Sequence, residues 1–425
     1  MPSDRLVAEE STVAEGERAG PRVLVLAEAL PWPTLKGGDL RTWQNVNALA
    51  GCAAVGVFGL CSNDTRRTVP SGVPLAIWAS STDPALAYPP PKGVRLRGRA
   101  WLLDPHGHPA DLYYSDAAAR EIRDIVEMFR PDVVIIEGLW LHRYIEVVKS
   151  AGCLCILDCH NVEAALGREL AQAARGENLE ARVIRDVIPA RTEAIERHAV
   201  QAVDQLWVCS REDERRLFEL YAPATSVHVV PNAVRMGDRA RTINSSPLAL
   251  LFMGFYPHVP NTIAAEFLID AVFPELVATC AEAKILLVGA RPPTSLRSAA
   301  TRDPRIVVTG ALHDVGPALD QATVMVVPLF QGGGTRLKVL EAFAAGLPVV
   351  STTKGVEGLD VVHGTHVLFA QTAAEFVLAS LSLWRDPALA ARLVANAREL
   401  VAERYSWPAA AACVREAISE LTVTR

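Results

Sequence analysis

Lysine is scarce in this chain: only 6 of its 42 basic residues are Lys, against 48 acidic residues and a formal net charge of −6. Without a positive field of its own, the chain offers nothing to draw in nucleic acid. Long apolar runs are also missing. Val133–Ile136 and Ile285–Val288 end at charges or glycine, far short of the ~20 residues that cross a bilayer, so no membrane span is expected. Residues 1–20 lack the basic start and apolar core of a secretory signal and read as a flexible tail. A cytoplasmic protein is expected. The eight cysteines show no paired CxxC spacing and read as buried, reduced thiols. No two Asp stand at i and i+2, so the clamp that holds a divalent cation on a diphosphate is missing, and no metal or cofactor is expected.

What is present is a globular chain of 425 residues, half of them apolar, enough for two or three domains with sizeable cores. Short β-branched runs alternate with amphipathic stretches in both halves. In the first half the strands are expected at 22–27, 53–59, 133–137, 154–158, 205–209 and 227–230. Helices are expected at 39–50, 115–129 and 141–150, with one long helix or a pair over 162–203. After a polar break, strands at 248–253, 284–288, 306–309, 323–328, 348–351 and 366–369 alternate with further helices. The fold class is α/β, two doubly wound Rossmann-like domains. The expected division is a tail at 1–20, a first domain at 21–232, a linker at 233–247, a second domain at 248–404 and a final helix within 405–425 that can cross back. Ligands of such sheets bind beyond the carboxyl ends of the strands, and a site facing both domains is expected.

The most informative stretch runs from Pro328 to Ser351. Three consecutive glycines, Gly332, Gly333 and Gly334, precede a helical pattern, and Thr335 follows them. A backbone this bare exposes N–H groups at a helix N-terminus, a site suited to a diphosphate. Lys338, one of the six lysines, lies four residues beyond. Glu341 follows it by three, on the same face, where a carboxylate can accept two hydrogen bonds from a ribose diol. Arg336 and Lys338 are two residues apart and cannot share a face, so one serves phosphates while the other packs elsewhere. The bland alternative is a capped turn with Lys338 and Glu341 as a surface pair.

The run GGGTRLKVLEAFAAGLPVVSTTKGVEGL, with MGFYPHVPNTIAAEFLIDAVFPEL and VTGALHDVGPAL upstream, resembles the donor domain of family four glycosyltransferases, which have the GT-B fold. LPWPTLKGGDLRTWQNVNALA and DCHNVEAAL are similar to parts of the acceptor domain of that family. The resemblance spans roughly residues 20–420. It implies a retaining transferase that takes a sugar from a nucleotide diphosphate sugar, with Glu341 on the ribose, Gly333, Gly334 and Thr335 facing the diphosphate, and Gly37 and Gly38 closing onto it. Two positions depart from the pattern. Gly333 stands where many relatives carry a first glutamate, and Gly254–Asn261 lacks the usual Arg and Lys. The cation for the leaving group is then expected from Arg336 or Lys338.

Further donor-side expectations are Gly254 after the first strand of the second domain, and Leu312, with 309–312 near the base. His160 stands at a strand end, where the resemblance implies a histidine near the sugar; a loop His satisfied by backbone is the alternative. Glu137, Asn161, His258 and Glu357 are weaker contacts to sugar or acceptor, with a mere loop position as the alternative for His258 and Glu357. His106 and His108 suggest a metal pair but lack a third ligand. Lys92, Arg95, Arg97 and Arg99, beside Tyr88 and Trp101, fit a solvated loop better than a lipid headgroup surface, although peripheral membrane contact stays open. The Arg excess and abundant Ala point to a bacterial source. The acceptor is expected to be a small molecule such as a secondary metabolite, a cell-surface glycan or a lipid-linked sugar. A nucleotide-sugar epimerase, a phosphorylase and a non-catalytic sugar-nucleotide-binding subunit are the alternatives.

Overall fold

The structure is a computed structural model that describes residues 20–34, 36–61, 68–86, 104, 107–173, 179–237, 247–312, 314–334 and 336–423. Thr335, His106, Tyr88, Lys92, Arg95, Arg97, Arg99 and Trp101 lie outside the described residues, as do the tail before Gly20 and 238–246 of the expected linker. The chain divides into two units, Met1–Asn232 with Ala410–Arg425, and Ala233–Ala409.

In the first unit seven strands form one parallel sheet. They are β1 (Arg22–Ala29), β2 (Ala54–Cys61), β3 (Ile77–Ser80), β4 (Val133–Glu137), β5 (Leu154–Cys159), β6 (Gln205–Val208) and β7 (Ser226–Val229), in the order β3-β2-β1-β4-β5-β6-β7. Val23–Leu26 and Val133–Ile136 are wholly buried, the mark of central strands covered on both faces. The chain builds outward from β1 through β2 to β3, then returns to lay β4 on the other side of β1. That reversal opens a crevice at the carboxyl ends of β1 and β4.

The second unit repeats the plan. β8 (Ala249–Met253), β9 (Lys284–Val288), β10 (Ile306–Gly310), β11 (Val324–Val327), β12 (Val349–Ser351) and β13 (Leu368–Phe369) pair in parallel in the order β10-β9-β8-β11-β12-β13. Its reversal lies between β8 and β11.

Three elements were not expected. β3 is a four-residue edge strand, too short for a period to show. The helices Arg211–Tyr221 and Thr294–Arg302 bury only Leu217 and Tyr221, and Leu296 and Ala299, so each apolar stripe is thin. The long charged stretch resolves into three helices, Glu163–Ala173, Leu179–Asp186 and Ile188–Ala202, the last opened by Pro189 in its first turn.

Candidate active site

At the β8/β11 reversal two loops meet. β8 leads through Gly254 to the helix Val259–Phe267, and β11 leads through Gly332–Gly334 to the helix Leu337–Ala344. Gly332 and Gly334 have φ of 99° and 87°, conformations that favour glycine. A Cβ on Gly332 would lie 3.0 Å from Pro260, and one on Gly254 would lie 2.8 Å from Asn261. Gly289, past the end of β9, was not singled out from sequence, yet its Cβ would fall 1.7 Å from the Gly254 carbonyl oxygen.

Arg336 shapes the glycine loop from behind. Its guanidinium, 4% exposed, donates to the Gly332 carbonyl at 2.8 Å and the Gly333 carbonyl at 3.1 Å. A trans peptide points its N–H opposite its C=O, so the N–H groups of Gly333 and Gly334 turn away from Arg336. Neither makes a backbone hydrogen bond among the described residues. Of the two candidate phosphate cations, Arg336 gives two of its donors to the carbonyls of its own loop. Glu357 is an ion-pair partner, 2.7 Å from Lys354 Nζ and 3.9 Å from Arg336.

Lys338 is not paired with Glu341 on the surface. Its Nζ donates to Asn261 Oδ1 at 2.7 Å and lies 4.5 Å from the Phe252 ring centre. It thereby carries positive charge into the Gly254–Asn261 stretch that has none of its own. Burial, reinforced by the Arg336 charge, brings the Lys338 ammonium from 10.5 to about 7, while burial pushes Glu341 from 4.5 up to about 7. His258 is also held below its ordinary value, by burial and then by Lys338 and Arg336. Cation-forming groups crowd one loop, an arrangement that an anion would relieve.

In the first unit, β1 leads to the helix Gly37–Ala50, whose N-cap Lys36 supplies no side-chain cap. Lys36 instead pairs with Glu28 at 2.6 Å. This helix buries a polar face. Arg41 donates to Asp158 through Nε at 2.8 Å and Nη2 at 2.5 Å, and to Val230 O at 2.8 Å and Asn232 Oδ1 at 3.1 Å. Asn45 adds a third bond to Asp158 at 3.0 Å. Thr42 Oγ1 donates to Glu137 Oε2 at 2.9 Å, and His160 Nε2 lies 2.9 Å from the same oxygen. Burial opposes the His160 imidazolium, but the Glu137 hydrogen bond and the Asp158 charge outweigh it and raise the pKa. Arg41, Thr42, Asn45 and Asp158 were missed from sequence. The available signal was a helix after a glycine turn with polar residues where its buried face must fall.

Gly38 faces His160, with 3.7 Å from its virtual Cβ to Nδ1. Glu137, expected to face substrate, is 5% exposed and lies behind His160 instead. Asn161 Nδ2 donates to Glu163 Oε1 at 3.0 Å. The N-terminus of the Glu163–Ala173 helix is already occupied, because Glu196 accepts from the N–H groups of Glu163 and Ala164 at 2.7 and 3.0 Å. Leu312, in the second unit, is 37% exposed and follows the edge strand β10. His108 has both ring nitrogens engaged, with Ala110 N and Thr192 Oγ1, and joins no metal cluster among the described residues.

Residues 247–386 match the family model described as Glycosyl transferases group 1, and residues 61–233 match that of the Glycosyl transferase 4-like domain. The chain is a glycosyltransferase. No curated protein sequence matches this glycosyltransferase. It is similar in structure to sucrose-phosphate synthase from Thermosynechococcus elongatus, at 17% identity and a TM-score of 0.72, covering 95% of this chain and 100% of that one. Anabaena HepE in complex with UDP and glucose is similar at 13% identity and a TM-score of 0.65, covering 94% and 100%. The lipopolysaccharide outer core galactosyltransferase WaaB follows at 12% and 0.57, covering 94% and 99%. At these identities the likeness establishes the fold, GT-B with two Rossmann-like domains. The epimerase, phosphorylase and non-catalytic readings are not favoured.

Proposed function

We propose that this glycosyltransferase moves a sugar, with retention of anomeric configuration, from a nucleotide diphosphate sugar to an acceptor hydroxyl. The observation that carries this reading is the β8/β11 reversal, where the N–H groups of Gly333 and Gly334, Lys338 and His258 converge with no acidic residue in the loop itself. The HepE structures hold UDP and UDP-glucose, which supports a nucleotide sugar as donor.

In this reading the second domain binds the donor. Glu341 accepts hydrogen bonds from the ribose diol, the base lies toward Leu312, and the diphosphate takes the Gly333 and Gly334 amides. Lys338 stabilises the negative charge that develops as the diphosphate leaves. No Asp-x-Asp occurs in the sequence, which fits charge stabilisation by backbone and ammonium without a metal. No protein nucleophile is required, since the departing diphosphate can itself take the acceptor's proton. The first domain holds the acceptor, a secondary metabolite, cell-surface glycan or lipid-linked sugar, with His160 beside the Gly37–Gly38 turn. All eight cysteines are free thiols, in keeping with a reducing, cytoplasmic setting. No described helix is long and apolar enough to cross a membrane.

A panel of nucleotide sugars screened by thermal shift tests the reading. One member is expected to stabilise the protein, with the shift lost in Lys338→Ala and Glu341→Ala. Stabilisation by none, or unchanged donor affinity and turnover in both variants, overturns it.

A further inference from the structure

Two buried carboxylates face one histidine in the first unit, and their partners divide them. Asp158 is filled by Arg41 and Asn45, and its Oδ2 lies 3.8 Å from His160 Nε2. Glu137 is the nearer, at 2.9 Å, and its Oε2 is steadied by Thr42. Glu137 Oε1 is buried without a hydrogen-bond partner. The carboxylate cannot reach a ligand and acts only through the imidazole. That ring is a quarter exposed, and the edge carrying Nδ1 and Cε1 faces Gly38, 3.7 and 3.8 Å from its virtual Cβ. Glu137, Asp158 and His160 also lie close enough to bridge a metal ion, but Asp158 is already taken and the Arg41 guanidinium repels a cation.

We infer that Glu137 is a positioning residue for His160: it holds the proton on Nε2, so that Nδ1 is presented at the Gly37–Gly38 turn to accept a hydrogen bond from a substrate hydroxyl. This rests on the transferase reading above. A neutral imidazole carries one N–H, and a carboxylate at Nε2 selects which nitrogen keeps it. The charged and titratable groups around the ring are Glu137 on β4, Asp158 on β5, Arg41 on the Gly37 helix, Glu163 on the following helix, and Cys209, whose Sγ contacts the His160 carbonyl at 3.4 Å. Accepting at Nδ1 requires the neutral ring, so activity falls as pH drops through the His160 pKa. Glu137 sets how high that limb lies.

The test uses the full chain and the donor found by the thermal-shift panel. Glu137→Gln keeps an acceptor for Nε2–H but removes the charge. It is expected to move the acid limb of the kcat/KM profile to lower pH while kcat at its plateau stays within about tenfold of the parent. Glu137→Ala is expected to lose about 10- to 100-fold in kcat with donor affinity unchanged, and to add little to the loss in His160→Ala. Nitrogen-15 NMR of the His160 ring in the unliganded protein reads the tautomer without turnover, and Nε2–H is expected. An Nδ1–H tautomer, an unmoved acid limb in Glu137→Gln, or additive losses overturn the inference. Failure of every nucleotide sugar to bind overturns the transferase reading and leaves the tautomer result standing.

Discussion

Replacing Lys338 by Met removes the ammonium while keeping the stem, and its effect should depend on pH. In the empty site Lys338 titrates near 7 in place of 10.5. A bound diphosphate favours the ammonium form, so donor binding takes up a proton wherever the free lysine is neutral. Affinity is therefore full below about pH 7 and falls as pH rises above it, by at most about tenfold per pH unit for one proton. Restoring the whole interval from about 7 to 10.5 would be worth about 5 kcal/mol. Because the lysine is only partly buried, solvent screening reduces this to about 2 kcal/mol, or roughly thirtyfold in affinity. Titration calorimetry of the nucleotide sugar at pH 7, 8 and 9, in buffers of different ionisation enthalpy, measures both affinity and proton uptake. Wild type should take up about 0.7 of a proton at pH 8 and about 0.2 at pH 9. Lys338→Met should bind weakly at pH 7 and show no such slope. Equal slopes in the two proteins, or no uptake in wild type, refute the reasoning. The sign differs for the empty protein, in which the unfolded chain binds more protons between about pH 7 and 10.5, so the Lys338 contribution to stability rises with pH across that window.

Glu341→Gln should weaken donor binding by about 1.5–3 kcal/mol, measured by calorimetry, and the loss should vanish with a 2′,3′-dideoxy nucleotide sugar if the carboxylate serves the ribose. Asp158→Asn strands the buried Arg41 guanidinium and should lower unfolding stability by about 3–5 kcal/mol in urea melts. Gly289→Ala should cost more than about 2 kcal/mol and lower the thermal midpoint, since its Cβ would collide with the Gly254 carbonyl.

Much of this was legible in the chain. Runs such as Val133–Ile136 have no other use than a central strand, and three glycines ahead of a helix carrying Lys338 and Glu341 make a poor ordinary turn. The residues that escaped are those whose meaning is tertiary. Arg41 and Asp158 are 117 positions apart, and an arginine on a helix reads as solvent-facing until its partner is known. Arg336 and Lys338 looked equally suited to phosphate, because the direction of a guanidinium is decided by carbonyl geometry that sequence does not print. His160 was visible as a strand-end histidine, but the nitrogen it offers depends on Glu137, 23 residues earlier.

The Arg41–Asp158 pair also constrains how this sequence can change. Either residue replaced alone leaves an uncompensated charge in a dry interior, whereas a matched apolar pair can restore or exceed the original stability. Positions 41 and 158 are therefore separated from their alternatives by a valley that single substitutions do not cross. A mutational library sorted for folded protein should recover changes at these two sites together and almost never one at a time.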